Sequence, residues 1–330
     1  MPEKAARRGM PIPAGQADYL IATAARAPSV HNTQPWRFRV GEYAIELYAD
    51  PRRKLRVDPI GREMLISCGA ALFGLCLAVR SLGYQPVAEL LPDPARLRLL
   101  ARVTLGAAEP MTARERQLLE ALPHRHTHRG PFAPGPLPAG LAAGLQHDAL
   151  AEGTELVFVD EVIAYQRLAG IADAAGRRQD PDPVARAELR RWSRGPADPA
   201  HDGVPAHAFP ASASRQPGQL PQRDFDQGRG LGLLPGGGPP PPATAVLVTP
   251  GDGRADWLRA GQALHRLLAH AAASWVFASL HTQPLEAGVT RALIRDQLAL
   301  PGVPQILLQL GPAHTTRATA RRPPSDLIDP

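Results

Sequence analysis

Residues Ala27 to Phe38 read APSVHNTQPWRF, two prolines bracketing a run of small polar side chains. Pro28 and Pro35 deny this stretch a continuous helix, and Asn32, Thr33 and Gln34 set amide and hydroxyl groups between them. Just before it, Tyr19 to Ala25 is apolar and alanine-rich. A helix therefore stops where a rigid polar loop begins, a firm support for a ligand. The competing reading is a helix-terminating turn with Trp36 buried behind it.

Outward from this loop, the whole chain of 330 residues, 44% of them hydrophobic, has enough apolar material for one large domain or two smaller ones. No segment carries eighteen uninterrupted apolar residues, and the start MPEKAARRGMPIPAG lacks the apolar core of a signal peptide. The expectation is a cytoplasmic protein without a membrane partner. Cys68 and Cys76 lie two helical turns apart, about 12 Å, too far to bridge. The net charge of +6 invites a nucleic-acid reading. Yet lysine occurs only at Lys4 and Lys54, the arginines are scattered and aromatics are 5%, which leaves no massed basic face and few stacking platforms.

Residues 1–15 read as a loose polar tail. The alternation in Tyr43 to Tyr48 predicts a strand, Arg62 to Leu82 a long apolar helix ending at Gly83, and Leu99 to Leu105 a second strand. The order returns later: a strand at Ala243 to Thr249, a long helix at Asp256 to Leu280 and a strand at Pro304 to Leu310. Within the two helices, Gly69-x-Ala71-Leu72-x-x-Leu75 repeats as Gly261-x-Ala263-Leu264-x-x-Leu267. Any buried helix uses small residues and leucines at such spacing, but the repeated order of elements points to internal duplication. Between the halves, Gly195 to Pro242 holds eleven prolines and nine glycines. Up to Phe225 this reads as a lid, and from Gln227 onward as a flexible tether.

His124 to Phe132 reads HRHTHRGPF. If extended, it places Arg125, Thr127 and Arg129 on one face and three histidines on the other. The histidines could be metal ligands, but the flanking arginines oppose a divalent ion and no cysteine or carboxylate lies nearby in sequence. The arginine, hydroxyl, arginine face suits a phosphate dianion.

Taken together, Ala27-Pro28-Ser29, Asn32 and Gln34-Pro35-Trp36-x-Phe38 resemble the APSxxNxQPWxF signature of the FMN-dependent nitroreductases. The chain most resembles the Acg-like branch, in which one chain carries two related halves and a comparable insertion; that insertion's elements correspond here to Asp202 to Pro205 and Arg223 to Phe225. The resemblance implies an α+β, three-layer α/β/α fold, duplicated into a pseudo-dimer with a lid. Its halves would span residues 16–112 and 113–330, the second containing the insertion 195–242. It further implies an FMN site. Pro28, Ser29, Val30, Asn32 and Gln34 would line the flavin, and Arg125, Thr127 and Arg129 would grip its phosphate. Leu285, Glu286 and Ala287 would stand at the family's Pro-x-Glu-Gly turn, with alanine in place of glycine, while Arg321 and Arg322 would be the late basic residues. Gln309 stands where that branch carries an arginine. No GxGxxG turn follows a strand, which favours FMN over a dinucleotide flavin. The implied activity is hydride transfer from NADH or NADPH through FMN to a small acceptor such as a nitroaromatic or quinone, with no catalytic side chain. The rival expectation is a non-catalytic flavin-sequestering protein. Because the first half keeps only the loop while the second carries the phosphate grip, the turn and the late basic residues, one monomer should form a single site, a homodimer remaining possible.

Overall fold

The computed structural model describes residues 9–211, 218–235, 243–313 and 318–329. Two four-stranded antiparallel sheets organise them. The first is built from β1 (Trp36–Val40), β2 (Ala44–Ala49), β3 (Tyr84–Leu90) and β4 (Leu99–Ala108), side by side as β1-β2-β4-β3. The second uses β5 (Glu155–Phe158), β8 (Ala243–Thr249), β9 (Val276–Leu280) and β10 (Val303–Pro312), in the order β5-β8-β10-β9. The two-residue strands β6 (Ser193–Arg194) and β7 (Val204–Pro205) pair separately. Both large sheets thus place their last strand in third position. In the first, a hairpin joins β1 to β2; in the second, the whole insertion lies between the equivalent strands.

The helices are α1 (Ala17–Ala24), α2 (Arg62–Ser81), α3 (Ala113–Ala121), α4 (Leu141–Ala151), α5 (Val162–Gln179), α6 (Pro183–Arg191), α7 (Arg254–Ala273), the single turn α8 (Gln283–Glu286) and α9 (Gly288–Gln297). Each long central helix, α2 and α7, follows the second strand of its sheet, and the two pack against each other. Their contact explains the repeated glycine. A Cβ on Gly69 would lie 2.1 Å from the Leu258 carbonyl oxygen, and one on Gly261 would lie 1.9 Å from that of Ile66. Only glycine lets these backbones approach so closely. α2 is long and apolar enough to cross a membrane, yet its side chains are spent on the interior, where Leu65, Ile66, Leu72 and Leu75 join one core with α1, α7 and both sheets.

Period two divides the second sheet's faces. Ala245, Leu247, Ile306 and Leu308 point to the central helices, whereas Val246, Val248 and Leu307 meet Leu168 of α5 and Ile294 of α9. Three layers, helix, sheet and helix, stack there. The first sheet's outer face is polar instead: Arg102 donates to Glu46 at 3.0 Å and Arg96 lies over Tyr48. An antiparallel sheet tolerates one wet face.

The helix expected over Asp256 to Leu280 ends at Ala273. Trp275 takes a left-handed φ of 55°, and Val276–Leu280 becomes β9, paired to β10. VFASL is a short apolar run that periodicity cannot assign to helix or strand; the unsatisfied edge of β10 decides it. The tether expected from Gln227 is also folded as far as Pro235. The buried Asp226 carboxylate accepts from the amides of Gly230, Leu231 and Gly232, and Leu233 donates to Ala206. Residues 236–242 lie outside the described residues, as do 1–8 of the expected N-terminal tail. Met10 and Ile12, by contrast, are hydrogen-bonded to Leu105 and Glu42.

Candidate functional site

The loop after α1 is strained and held from several sides. His31, Asn32 and Gln34 have φ of 49°, 55° and 48°, sparsely populated for residues with a side chain. The Ser29 hydroxyl accepts from the Gln34 amide at 3.0 Å, and the Val30 amide donates to Ser67 of α2 at 3.3 Å. Pro28, Ser29 and Val30 consequently face a cavity. Asn32 and Gln34 do not. The Asn32 amide donates to the carbonyls of Gly203 and Ala320, and that of Gln34 to His201, while the Gln34 carbonyl accepts from the Arg322 amide. Both thus fasten the insertion and the C-terminal segment, although Oδ1 of Asn32 is buried without a partner.

Across the cavity, residues 125–129 run extended beside β9: Thr127 bridges Ala278, and the His128 amide donates to the Ala278 carbonyl at 2.8 Å. Thr127 and Arg129 line the cavity. The histidines are absorbed by packing, His126 stacking on Phe277 at 4.4 Å and His128 lying on Phe132 at 4.8 Å. Glu63, Ile66 and Ser67 of α2 form the floor, and the cover comes from the insertion through Pro210, Arg223 and Phe225. Arg129 lies 5.2 Å over the Phe225 ring.

Behind the end formed by Pro28 and Arg129, the charges do not balance; Arg125 and Arg321 stand near that end but, unlike Thr127 and Arg129, do not line the cavity itself. Arg125 is buried, and its Nε and Nη1 have no partner; Arg321 leaves Nε unpartnered while its Nη2 donates to the Ala27 carbonyl at 3.2 Å. Among the described residues neither guanidinium has an ion pair. Burial, then Arg129 and Arg26, push Arg125 down to about 10, and burial, then Arg125 and Arg26, hold Arg321 well below the usual arginine value. Burial also brings Arg129 to about 10. Buried cations with unfilled N–H groups are costly, and an oxyanion carrying several acceptors is the group that relieves them. Arg322 is elsewhere, donating to the Asp326 carbonyl at 2.7 Å.

Leu285 is fully buried in the second core and Glu286 is clasped by Arg223 and by Gln179, so neither side chain faces the cavity; the preceding Gln283 and Pro284 do. Ala287 has φ −92° and ψ 130°, an extended conformation that any residue adopts, so glycine's freedom is not needed there. Gln309 meets Tyr165 at 3.4 Å.

Two site features escaped the sequence reading: Glu63 and Ser67. The one available signal was an acid opening an otherwise apolar helix, REMLISCGAAL.

No family model matches the chain. It is, however, 36% identical over 296 residues to the Mycobacterium tuberculosis protein named "Putative NAD(P)H nitroreductase Rv3131", covering 88% of this chain and 83% of that one. The chain belongs to the nitroreductase family. The M. tuberculosis protein named "Putative NAD(P)H nitroreductase acg" is 29% identical over 309 residues, with 92% of each chain covered. Among solved structures, a nitroreductase with bound FMN from Desulfitobacterium hafniense matches at 12% identity and a TM-score of 0.41, over 65% of this chain and 97% of that one.

Proposed function

We propose that this nitroreductase-family chain binds FMN in the cavity and works as an NAD(P)H-dependent oxidoreductase for a small acceptor such as a nitroaromatic or quinone. The observation that carries the reading is the group of unpartnered guanidinium atoms on Arg125 and Arg321 beside Arg129. These three residues fit the FMN phosphate, with each charge-assisted hydrogen bond contributing about 1.5 to 3 kcal/mol. Pro28, Ser29 and Val30 on one side and Thr127 with the end of β9 on the other would flank the planar ring system. When bound, FMN supplies a centre that takes up a hydride and passes electrons on. The protein's part is to orient that ring, to exclude water with Phe225 and Pro210, and to balance negative charge with Arg129.

We further infer that residues 16–112 and 113–330 are two copies of one unit, supported by the shared strand order and the glycine crossing of α2 and α7. The α1 loop of the first and the 125–129 segment of the second meet at one cavity, so a single monomer would complete the site. A cytoplasmic location fits a nicotinamide donor.

A second reading, flavin storage, is favoured by the cover. Phe209 and Phe225 share a small core with Val204 and Ala206, and Arg223 is locked to Glu286, so the cavity is roofed by packed structure. Anaerobic mixing of the yellow protein with NADH or NADPH separates the two. Prompt bleaching near 450 nm, and its reversal by a quinone, is the expected result. Colour that persists with both donors would leave storage.

A further inference from the structure

Glu63 opens α2 and lines the cavity floor with its side chain only 4% exposed. Its two oxygens differ. Oε1 lies 3.4 Å from Nη2 of Arg62, whose Nη1 is itself held by the Gln305 carbonyl at 2.8 Å. Oε2 is buried with no partner at all. A buried polar atom without a partner is rare and costly, and here it borders a cavity built for a ligand. Ser67 does not fill it, because its hydroxyl donates to the Glu63 backbone carbonyl at 2.8 Å.

We propose that Glu63 is a specificity-determining residue of this cavity: its carboxyl group donates a hydrogen bond from Oε2 to a carbonyl oxygen of the bound ligand, whether the flavin's own or that of a quinone-type acceptor. The proposal rests on the FMN reading above. Every element around the group bears on its protonation. Glu286 comes from α8, Asp58 from the turn before α2, Arg62 from its own helix and Arg223 from the insertion, and Arg223 is already spent on Glu286. Burial first, then the Glu286 charge, push the Glu63 carboxyl up to about 8, with Arg62 opposing. It therefore holds its proton at neutral pH. With Oε1 turned to Arg62, that proton sits on Oε2, a donor where a carboxylate would only accept. A neutral acid in a dry wall selects ligands that present an oxygen acceptor and rejects those that present an anion, as an unpaired buried group penalises any ligand that fails to match it.

The sign of the pH dependence follows. The donor exists below the raised pKa and is lost as pH rises through about 8. FMN titrations of the wild-type protein and Glu63→Gln, from about pH 6.5 to about pH 9.5, test it together with the KM for a quinone. Glutamine keeps an N–H donor but cannot titrate. Wild-type FMN affinity, or failing that quinone KM, should worsen by about tenfold above pH 8, the loss of one strong hydrogen bond, while Glu63→Gln stays flat. A change in FMN affinity identifies the flavin carbonyl; a change confined to quinone KM identifies the acceptor carbonyl. An infrared arm needs no variant: the protonated-carboxyl band of the wild type should shift on ligand addition and vanish above pH 8. Identical pH profiles in wild type and Glu63→Gln, or no such band, would overturn the assignment of Glu63. Wild-type protein that binds no FMN at any pH would overturn the cofactor reading itself, and this one with it.

Discussion

Arg125→Met is expected to stabilise the FMN-free protein and at the same time to lower its FMN affinity by about 100-fold or more. The two effects have one cause. Arg125 is buried, leaves Nε and Nη1 without partners and faces Arg129 and Arg26, so before ligand arrives its charge is an uncompensated cost. Methionine fills similar volume without charge, and removing a buried charge of this kind gains about 1 kcal/mol or more. With phosphate present the same two N–H groups supply charge-assisted bonds of about 1.5 to 3 kcal/mol each, and losing both gives the affinity change. Thermal melts without FMN and fluorescence titration with it measure both parts. A merely structural arginine would behave in the opposite sense, its loss lowering the melting temperature and leaving affinity intact.

Gly261→Ala should be the most damaging glycine-to-alanine change among the described residues. The added Cβ would stand 1.9 Å from the Ile66 carbonyl oxygen and 2.7 Å from the Ala70 amide nitrogen, all backbone of α2, so relief requires the two central helices to part. Overpacking of this kind costs about 3 kcal/mol, enough to lower the melting temperature by about 5 °C or more. Spreading α2 from α7 also separates Glu63 and Ser67 from Leu264, which line the cavity together, so FMN affinity should fall with stability. Gly170→Ala in α5 is the control: its Cβ would meet nothing within 4 Å, and alanine's helix preference should raise stability by about 1 kcal/mol. Wild-type melting of Gly261→Ala would mean that the helix crossing is looser than described.

What could be read from the sequence was what local chemistry determines. Prolines 28 and 35 marked the loop, alternation in residues 43–48 marked β2, and the shared glycine and leucine spacing of the two long helices marked the repeat. Residues decided by partners far along the chain were less legible. β1 was hidden inside the loop reading of WRFRV, and β3 carries Pro86, which local rules treat as a break although an edge strand accepts it. An amide such as Asn32 shows that a hydrogen bond will be made but not with whom; its partners, Gly203 and Ala320, are 171 and 288 residues away. Arg321 and Arg322 read as one basic pair, yet consecutive residues of an extended segment point apart: Arg321 turns to Ala27 and Arg322 to Asp326. Glu63 was passed over because an acid at a helix start is ordinarily a solvated one, whereas in the fold its side chain is only 4% exposed.

We propose that one chain assembles one complete flavin site from its two halves. Flavin absorbance against protein concentration, taken on a light-scattering peak of known mass, tests it directly. One FMN per 35.3 kDa chain, carried by the monomer, is the expected result. Two flavins per chain, or flavin found only on dimers, would contradict it.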